Sequence, residues 1–206
     1  MSNPVLSVHG VQKSFGRKPV LRGGGLQANT GELVCLVGEN GSGKSTLLKI
    51  IAGVLKPDSG FVARTGKLGY CPQDSLLYQY LTIDEHFQLF GAAYGLSDKV
   101  VKQRSEELME IFTFNKFRYT KVQQLSGGTQ QKLNLSLALL HDPELLLLDE
   151  PYAGFDWETY QHFLSYTIKA KKQGKCIMMV SHLVYEKQRF DAVFQLHEGV
   201  IHAEIA

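Results

Sequence analysis

Three stretches of the chain are apolar at every position: Leu33-Val34-Cys35-Leu36-Val37, Leu145-Leu146-Leu147-Leu148 and residues 176–180. A strand covered on both faces reads this way, because neither side of its pleat meets water. Residues 192–196 and 200–202 add a hairpin across His197-Glu198-Gly199. Nearer the start, residues 5–8 and 15–21 read as strands, with Gly16-Arg17-Lys18-Pro19 as the loop between them. Gly23-Gly24-Gly25 reads as a flexible bend, and residues 61–70 as a short strand pair. Helical spacing marks other segments. Residues 45–51 open a helix, and residues 158–172 turn Tyr160, Phe163, Leu164 and Ile168 inward before a stop at Gly174.

Between residues 74 and 124 the pattern is helical, without a clear strand. Thr82-Ile83-Asp84-Glu85 has the form of a capping box, and Ile83, Phe87, Phe90 and Tyr94 follow at one-turn spacing. Ser97 or Asp98 can cap a second helix, with Val101, Leu108 and Phe112 on its inner face. Phe112, Phe114, Phe117 and Tyr119 read as packing for this segment. The result is an α/β core interrupted by a helical lobe.

Composition narrows the class. Of 206 residues, 44% are hydrophobic and 20% charged, which excludes disordered, collagen-like and disulfide-scaffold chains. Lys and Arg number 22 against 20 Asp and Glu, a net charge of +2, so a strong polyanion binder is disfavoured. The cluster Lys169, Lys171, Lys172 and Lys175 reads as cations at a helix end. Cys35, Cys71 and Cys176 are scattered and odd in number, which points to a reducing compartment. The sequence has no signal-peptide pattern and no apolar run long enough to span a bilayer, so contact with a membrane is expected only through a partner.

The chemistry sits in three strings. Gly38-Glu39-Asn40-Gly41-Ser42-Gly43-Lys44-Ser45 matches the P-loop pattern, directly after an apolar strand and before a helix. Its glycines let successive N–H groups curl around phosphate, Lys44 reaches the β- and γ-phosphates, and the Ser45 hydroxyl ligates Mg²⁺. The second string ends the run at 145–148 in Asp149 and Glu150, at the strand's exposed carboxyl end. Asp149 can hold Mg²⁺ directly or through water, and Glu150 can take a proton from an attacking water. The third, Leu125-Ser126-Gly127-Gly128-Thr129-Gln130, is another Gly-rich turn opening a helix, hence a second anion site.

These strings together resemble the ATP-binding cassette (ABC) ATPase family, and the likeness covers almost the whole chain. Leu125 to Gln130 is similar to that family's signature, and Glu150 to its catalytic glutamate. Gly69-Tyr70-Cys71-Pro72-Gln73 resembles the Q-loop, which makes Gln73 a Mg²⁺ and water contact and a sensor of the membrane partner. Ala153-Gly154-Phe155-Asp156 resembles the D-loop, Ser181-His182 the switch histidine, and Phe15 the adenine-stacking aromatic. Thr129, Lys132 and Gly154-Phe155 depart from the commoner residues without removing a catalytic group, and residues 53–73 are short for the family.

The resemblance implies an α/β fold: a P-loop NTPase core of ABC ATPase type with a small antiparallel β lobe and an inserted helical lobe. It implies one domain over 1–206, with 1–73 and 125–206 as RecA-like core plus β lobe and 74–124 as the helical lobe. The ligands it implies are ATP and Mg²⁺, cradled by Gly38, Asn40, Gly41, Ser42, Gly43, Lys44, Ser45 and Thr46, with Phe15 and Asp156 beside them. Ser126, Gly127 and Gly128 then serve the ATP of a second ATPase subunit, identical or not, in a dimer. The expected partner is a separately encoded membrane-spanning permease, with no nucleic acid, placing the chain in the cytoplasm on the inner face of the cell membrane. A regulatory domain after His182 is not expected. Cys71-Pro72-Gln73 followed by Leu81-Thr82-Ile83-Asp84-Glu85-His86 resembles the exporting branch. An importer subunit, or a soluble ABC ATPase acting on nucleic acid or ribosomes, is the alternative.

Overall fold

The computed structural model describes residues 4–180 and 188–204. Nine strands among these residues form one curled sheet, ordered β4-β1-β2-β9-β8-β3-β7-β6-β5. The strands are β1 (Pro4–Phe15), β2 (Lys18–Asn29), β3 (Leu33–Val37), β4 (Ser59–Arg64), β5 (Leu68–Cys71), β6 (Leu145–Asp149), β7 (Cys176–Val180), β8 (Ala192–His197) and β9 (Val200–Glu204). From β8 through β3, β7 and β6 to β5 every pairing is parallel, whereas β1 pairs antiparallel with both β2 and β4. The helices are α1 (Lys44–Ile51), α2 (Ile83–Ala93), α3 (Asp98–Ile111), α4 (Gly127–Leu139) and α5 (Trp157–Lys172).

The fully apolar strands are central, and period-two alternation divides each between two cores. Val34, Leu36, Leu145, Leu147, Cys176, Met178 and Val180 pack with α1, β1 and β2. Leu146, Leu148, Ile177 and Met179 face the other way, against α2, α3, α4 and α5. Helix α4 lies deepest, with ten of its residues buried, Leu133, Leu135, Leu137 and Leu139 among them. The capping box forms: Glu85 N–H donates to Thr82 Oγ1 over 3.2 Å, and Thr82 N–H donates to the Glu85 carboxylate over 2.7 Å.

The structure corrects several expectations. Residues 15–21 are not one strand. Phe15 and Lys18 pair across the Gly16-Arg17 turn of a long hairpin. Polar residues such as Gln12 and Ser14 continue β1 because its backbone pairs with β2, and at Gln12 also with Ser59 of β4. Residues 61–70 are not a strand pair, since β4 and β5 lie at opposite edges of the sheet. Ile168 is 51% exposed, and Thr159, Phe163, Thr167 and Ala170 form the buried stripe of α5. Tyr119 is exposed, while Phe112 and Phe114 are buried.

The triple glycine is a crossing and not a loose bend. At Gly23 and Gly24, strand β2 pairs in parallel with Val200 and Ile201 of β9, while Arg22 and Gly25 keep their pairing to β1. Both glycines have positive φ, 123° and 86°. A Cβ on Gly24 would lie 2.5 Å from the Ile201 carbonyl oxygen, whereas one on Gly23 would meet nothing within 4 Å. Gly23→Ala therefore bears the backbone strain alone, about 1–2 kcal/mol of stability by urea denaturation. Gly24→Ala bears that strain plus the collision and is the more damaging of the two, and equal losses would contradict this reading.

Candidate active site

The carboxyl ends of β3, β5 and β6 bring the site together, as expected for a parallel sheet. After β3 the chain turns through Gly38–Gly43. Gly43 caps α1 with φ 108°, and a Cβ there would sit 3.0 Å from Val20 Cγ1 and Leu21 Cδ2 of β2. A Cβ on Gly38 would lie 2.4 Å from the Leu196 carbonyl oxygen. The loop is pressed between strands at both ends, so its shape is fixed by sterics.

Lys44 is 6% exposed and donates to the carbonyls of Gly38 at 2.8 Å and Glu39 at 2.9 Å. Burial lowers its pKa, opposed by the nearby carboxylates of Glu150 and Asp149. Asp149 is 1% exposed. Burial raises its pKa above the usual aspartate range, opposed by a hydrogen bond from Ser45 and by Lys44, and assisted by Glu150. Its Oδ1 has no hydrogen-bond partner, and neither has the buried Ser42 Oγ. An unpaired carboxylate oxygen beside a serine hydroxyl suits a hard divalent cation, and an unpaired hydroxyl in a Gly-rich turn suits a phosphate oxygen. The residues present fit Mg²⁺ and a nucleoside polyphosphate.

Glu150 leaves β6 in a left-handed conformation, φ 51°, unusual for a residue with a side chain. Gln73, just past β5, donates from Nε2 to Glu150 Oε2 over 3.4 Å. A cavity of about 590 Å³ is lined by Val20, Asn40, Gly41, Gly43, Lys44, Ser45, Thr46, Gln73 and Glu150. A second cavity, about 450 Å³, shares Ser45 and Gln73 and adds Asp149, Tyr70, Asn134, Leu76 and Phe90.

Other sequence candidates lie elsewhere. Phe15 is 52% exposed, outside the cavity lining, with the Lys13 ammonium 5.9 Å from its ring centre. Val20, on the same hairpin, is the β-lobe residue that lines the cavity; a single apolar residue within a strand carries no sequence signal of that role. His182 lies outside the described residues. Asp156 caps α5, accepting from Thr159 N–H at 2.7 Å, a contact that holds its pKa low.

Ser126 caps α4 and accepts from Thr129 N–H at 3.3 Å, with the two hydroxyls 3.0 Å apart. Ser126, Gly127 and Gly128 do not line the P-loop cavity. Gly128 is packed against the D-loop-like turn, where a Cβ would lie 2.4 Å from the Gly154 carbonyl oxygen. At Gly127 an added Cβ meets nothing within 4 Å.

A family model described as "ABC transporter" matches residues 21–153. This chain belongs to the ABC transporter ATP-binding family. It is 32% identical to a Nod factor export ATP-binding protein of Rhizobium, over 97% of this chain and 70% of that one. It is 31% identical to a linearmycin resistance ATP-binding protein of Bacillus subtilis, over 88% of this chain and 62% of that one. A solved structure of the ATP-binding subunit of an ABC transporter superposes with a TM-score of 0.90 at 28% identity, covering 97% of this chain and 89% of that one. Against two of its relatives the chain spans only 28% and 62% of their length. The curled sheet and its helices are thus the ABC ATPase fold, and no helix among the described residues is long and apolar enough to cross a membrane.

Burial of Asp149 in this ABC domain has a measurable sign. Because its folded pKa is raised, the native state binds more protons than the unfolded state above the ordinary aspartate value, about 3.9. Stability then falls as pH rises through that window and stays reduced at neutral pH. Asp149→Asn is expected to raise the melting temperature of the nucleotide-free protein at pH 7, by roughly 2–4 °C per kcal/mol recovered. Calorimetry should show this advantage shrinking toward pH 4, and an unstabilised Asn variant at pH 7 would contradict the assignment.

Proposed function

We propose that this chain binds ATP with Mg²⁺ and hydrolyses it as half of a dimer that drives a separate membrane-spanning permease, in the direction of export. One observation carries the reading. The chain forms a Gly-rich cavity around Lys44 and, outside that cavity, a second Gly-rich turn capped by Ser126 that does not line it.

Bound ATP and Mg²⁺ supply the phosphoanhydride to be cleaved and neutralise its charge. The chain's residues bind, orient and move a proton. Lys44 exchanges its contacts with the Gly38 and Glu39 carbonyls for phosphate oxygens, and the glycine N–H groups complete the cradle. Ser45 and Asp149 hold Mg²⁺. Glu150 accepts the proton of the attacking water at its carboxylate, and Gln73 orients that carboxylate from Nε2. Phe15 stacks on the adenine and His182 serves as the switch histidine, the roles that the family resemblance implies. Ser126 and Gly127 offer their α4 terminus to the nucleotide of the partner chain, with Gly128 and Asp156 setting the backbone beneath.

Residues 74–124 form the helical lobe, which with Gln73 faces the permease; the chain is placed on the inner face of the cell membrane. Export is favoured because two relatives are named for Nod factor export and for linearmycin resistance, and because the strings at 71–73 and 81–86 resemble the exporting branch.

Glu150→Gln keeps the shape of the side chain and loses its basicity. It should bind ATP within about twofold of the parent and turn over at least about 100-fold more slowly. Lys44→Ala should weaken ATP binding by about tenfold or more, through loss of a charge-assisted contact. Calorimetry and a phosphate-release assay check both, and near-parental turnover by Glu150→Gln would remove it as the base. Export is tested by co-purifying the permease from membranes and following cargo in inverted vesicles, where ATP-driven uptake is the expected result.

A further inference from the structure

Two of the amides in α4 are buried among its leucines. Gln131 and Asn134 are 8% and 7% exposed, three residues apart and so on one face of the helix. Asn134 Nδ2 donates to the Pro72 carbonyl at 2.9 Å and lies 3.4 Å from Cys71 Sγ. Gln131 Nε2 donates to the Pro151 carbonyl at 3.2 Å, and its Oε1 is 3.4 Å from Asn134 Nδ2. Pro72 is the residue before Gln73, and Pro151 the residue after Glu150.

Both carbonyls lie beyond the sheet ladder. The last β5–β6 partners are Cys71 and Leu148, and the last β6–β7 partners are Asp149 and Val180. A proline cannot donate, so neither segment anchors itself there through its own N–H. The donors come from α4 instead. With the contact from Gln73 to Glu150, the bonds close a ring: Asn134 to Pro72, Gln73 to Glu150, Pro151 to Gln131, and Gln131 back to Asn134.

We propose that Asn134 and Gln131 are positioning residues, which set the separation of Gln73 and Glu150 and tie it to the Ser126 end of α4. The geometric part stands on the bonds above; its consequence for turnover rests on the ATPase reading. A rigid helix that offers its first turn to one nucleotide and its interior amides to the water-activating pair of another site makes each sensitive to the other.

Cys71 is the probe, because the two amides cover its sulfur and it is fully buried, as Cys176 is and Cys35 nearly is. Asn134→Leu keeps the branched outline of the side chain, with methyl groups in place of Oδ1 and Nδ2, and removes the donor. In the nucleotide-free protein, maleimide labelling of Cys71, read by mass spectrometry, should rise about tenfold, with Cys35 and Cys176 within about twofold of the parent. Turnover should fall about tenfold with ATP affinity within about twofold, and the same substitution in a Gln73→Ala background should cost less than about twofold more. Three cysteines reacting faster together would reveal general loosening and overturn the proposal. So would unchanged Cys71 labelling, or losses that multiply in the Gln73→Ala background. If the parent chain shows no turnover, the ATPase reading fails while the labelling still decides this one. Should Asn134→Leu not fold, Asn134→Ser, which keeps a shorter donor, decides the same way, with an intermediate rise at Cys71 alone as the expected result.

Discussion

An ammonium and a carboxylate, Lys44 at the start of α1 and Asp149 at the end of β6, are buried, and burial opposes the charge of both. Each is held by something weaker than its natural partner. Lys44 leans on two loop carbonyls, and Asp149 keeps one oxygen bare. That arrangement is unfavourable in the empty chain and becomes favourable when a polyanion and a divalent cation enter. Much of the architecture serves to impose it. The apolar strands lock the register that delivers Asp149, and the steric clamp on Gly38 and Gly43 fixes the loop that delivers Lys44. The left-handed turn at Glu150 then aims the next carboxylate into the cavity.

The central strands and their chemistry were legible because their signals are local. An unbroken apolar run, a glycine loop of fixed spacing and an acid at a strand end each sit within about ten residues. What escaped depends on partners far away in sequence. The edges β4 and β5 read as neighbours but pair with β1 and β6, whose positions no local pattern reveals. Gly23 and Gly24 looked loose because the strand that crowds them, β9, is near the other end of the chain. The β hairpin offered an exposed Phe15 to the eye and hid Val20, which lines the cavity. Gln131 and Asn134 carry no periodic signal; what could have marked them is a pair of amides, three apart, flanking and interrupting the run of leucines in α4.

Helix α4 joins what the sequence shows as separate strings. Its first turn is capped by Ser126, its interior amides hold the segments flanking Gln73 and Glu150, and Lys132 approaches Asp156 at 3.7 Å. Gly128 lets the turn at Gly154 rest directly on the helix backbone. A displacement at the Ser126 end is therefore felt at the Glu150 carboxylate of the same chain, and under the proposed function the nucleotide at Ser126 belongs to the other.

The central claim is that the Ser126 turn completes a site on a second chain, and Gly127 is the position from which to test it. A side chain there enters open space, and an acid in the first turn suits the helix. Sedimentation velocity of Glu150→Gln with ATP and Mg²⁺ measures the claim directly. The account predicts a shift from the 23.0 kDa monomer to a dimer on adding ATP. It also predicts that adding Gly127→Asp returns the protein to monomer, with its ATP affinity within about twofold, because the new carboxylate faces only the partner's phosphates. A Glu150→Gln protein that stays monomeric at saturating ATP, or a Gly127→Asp derivative that dimerises undiminished, would contradict it.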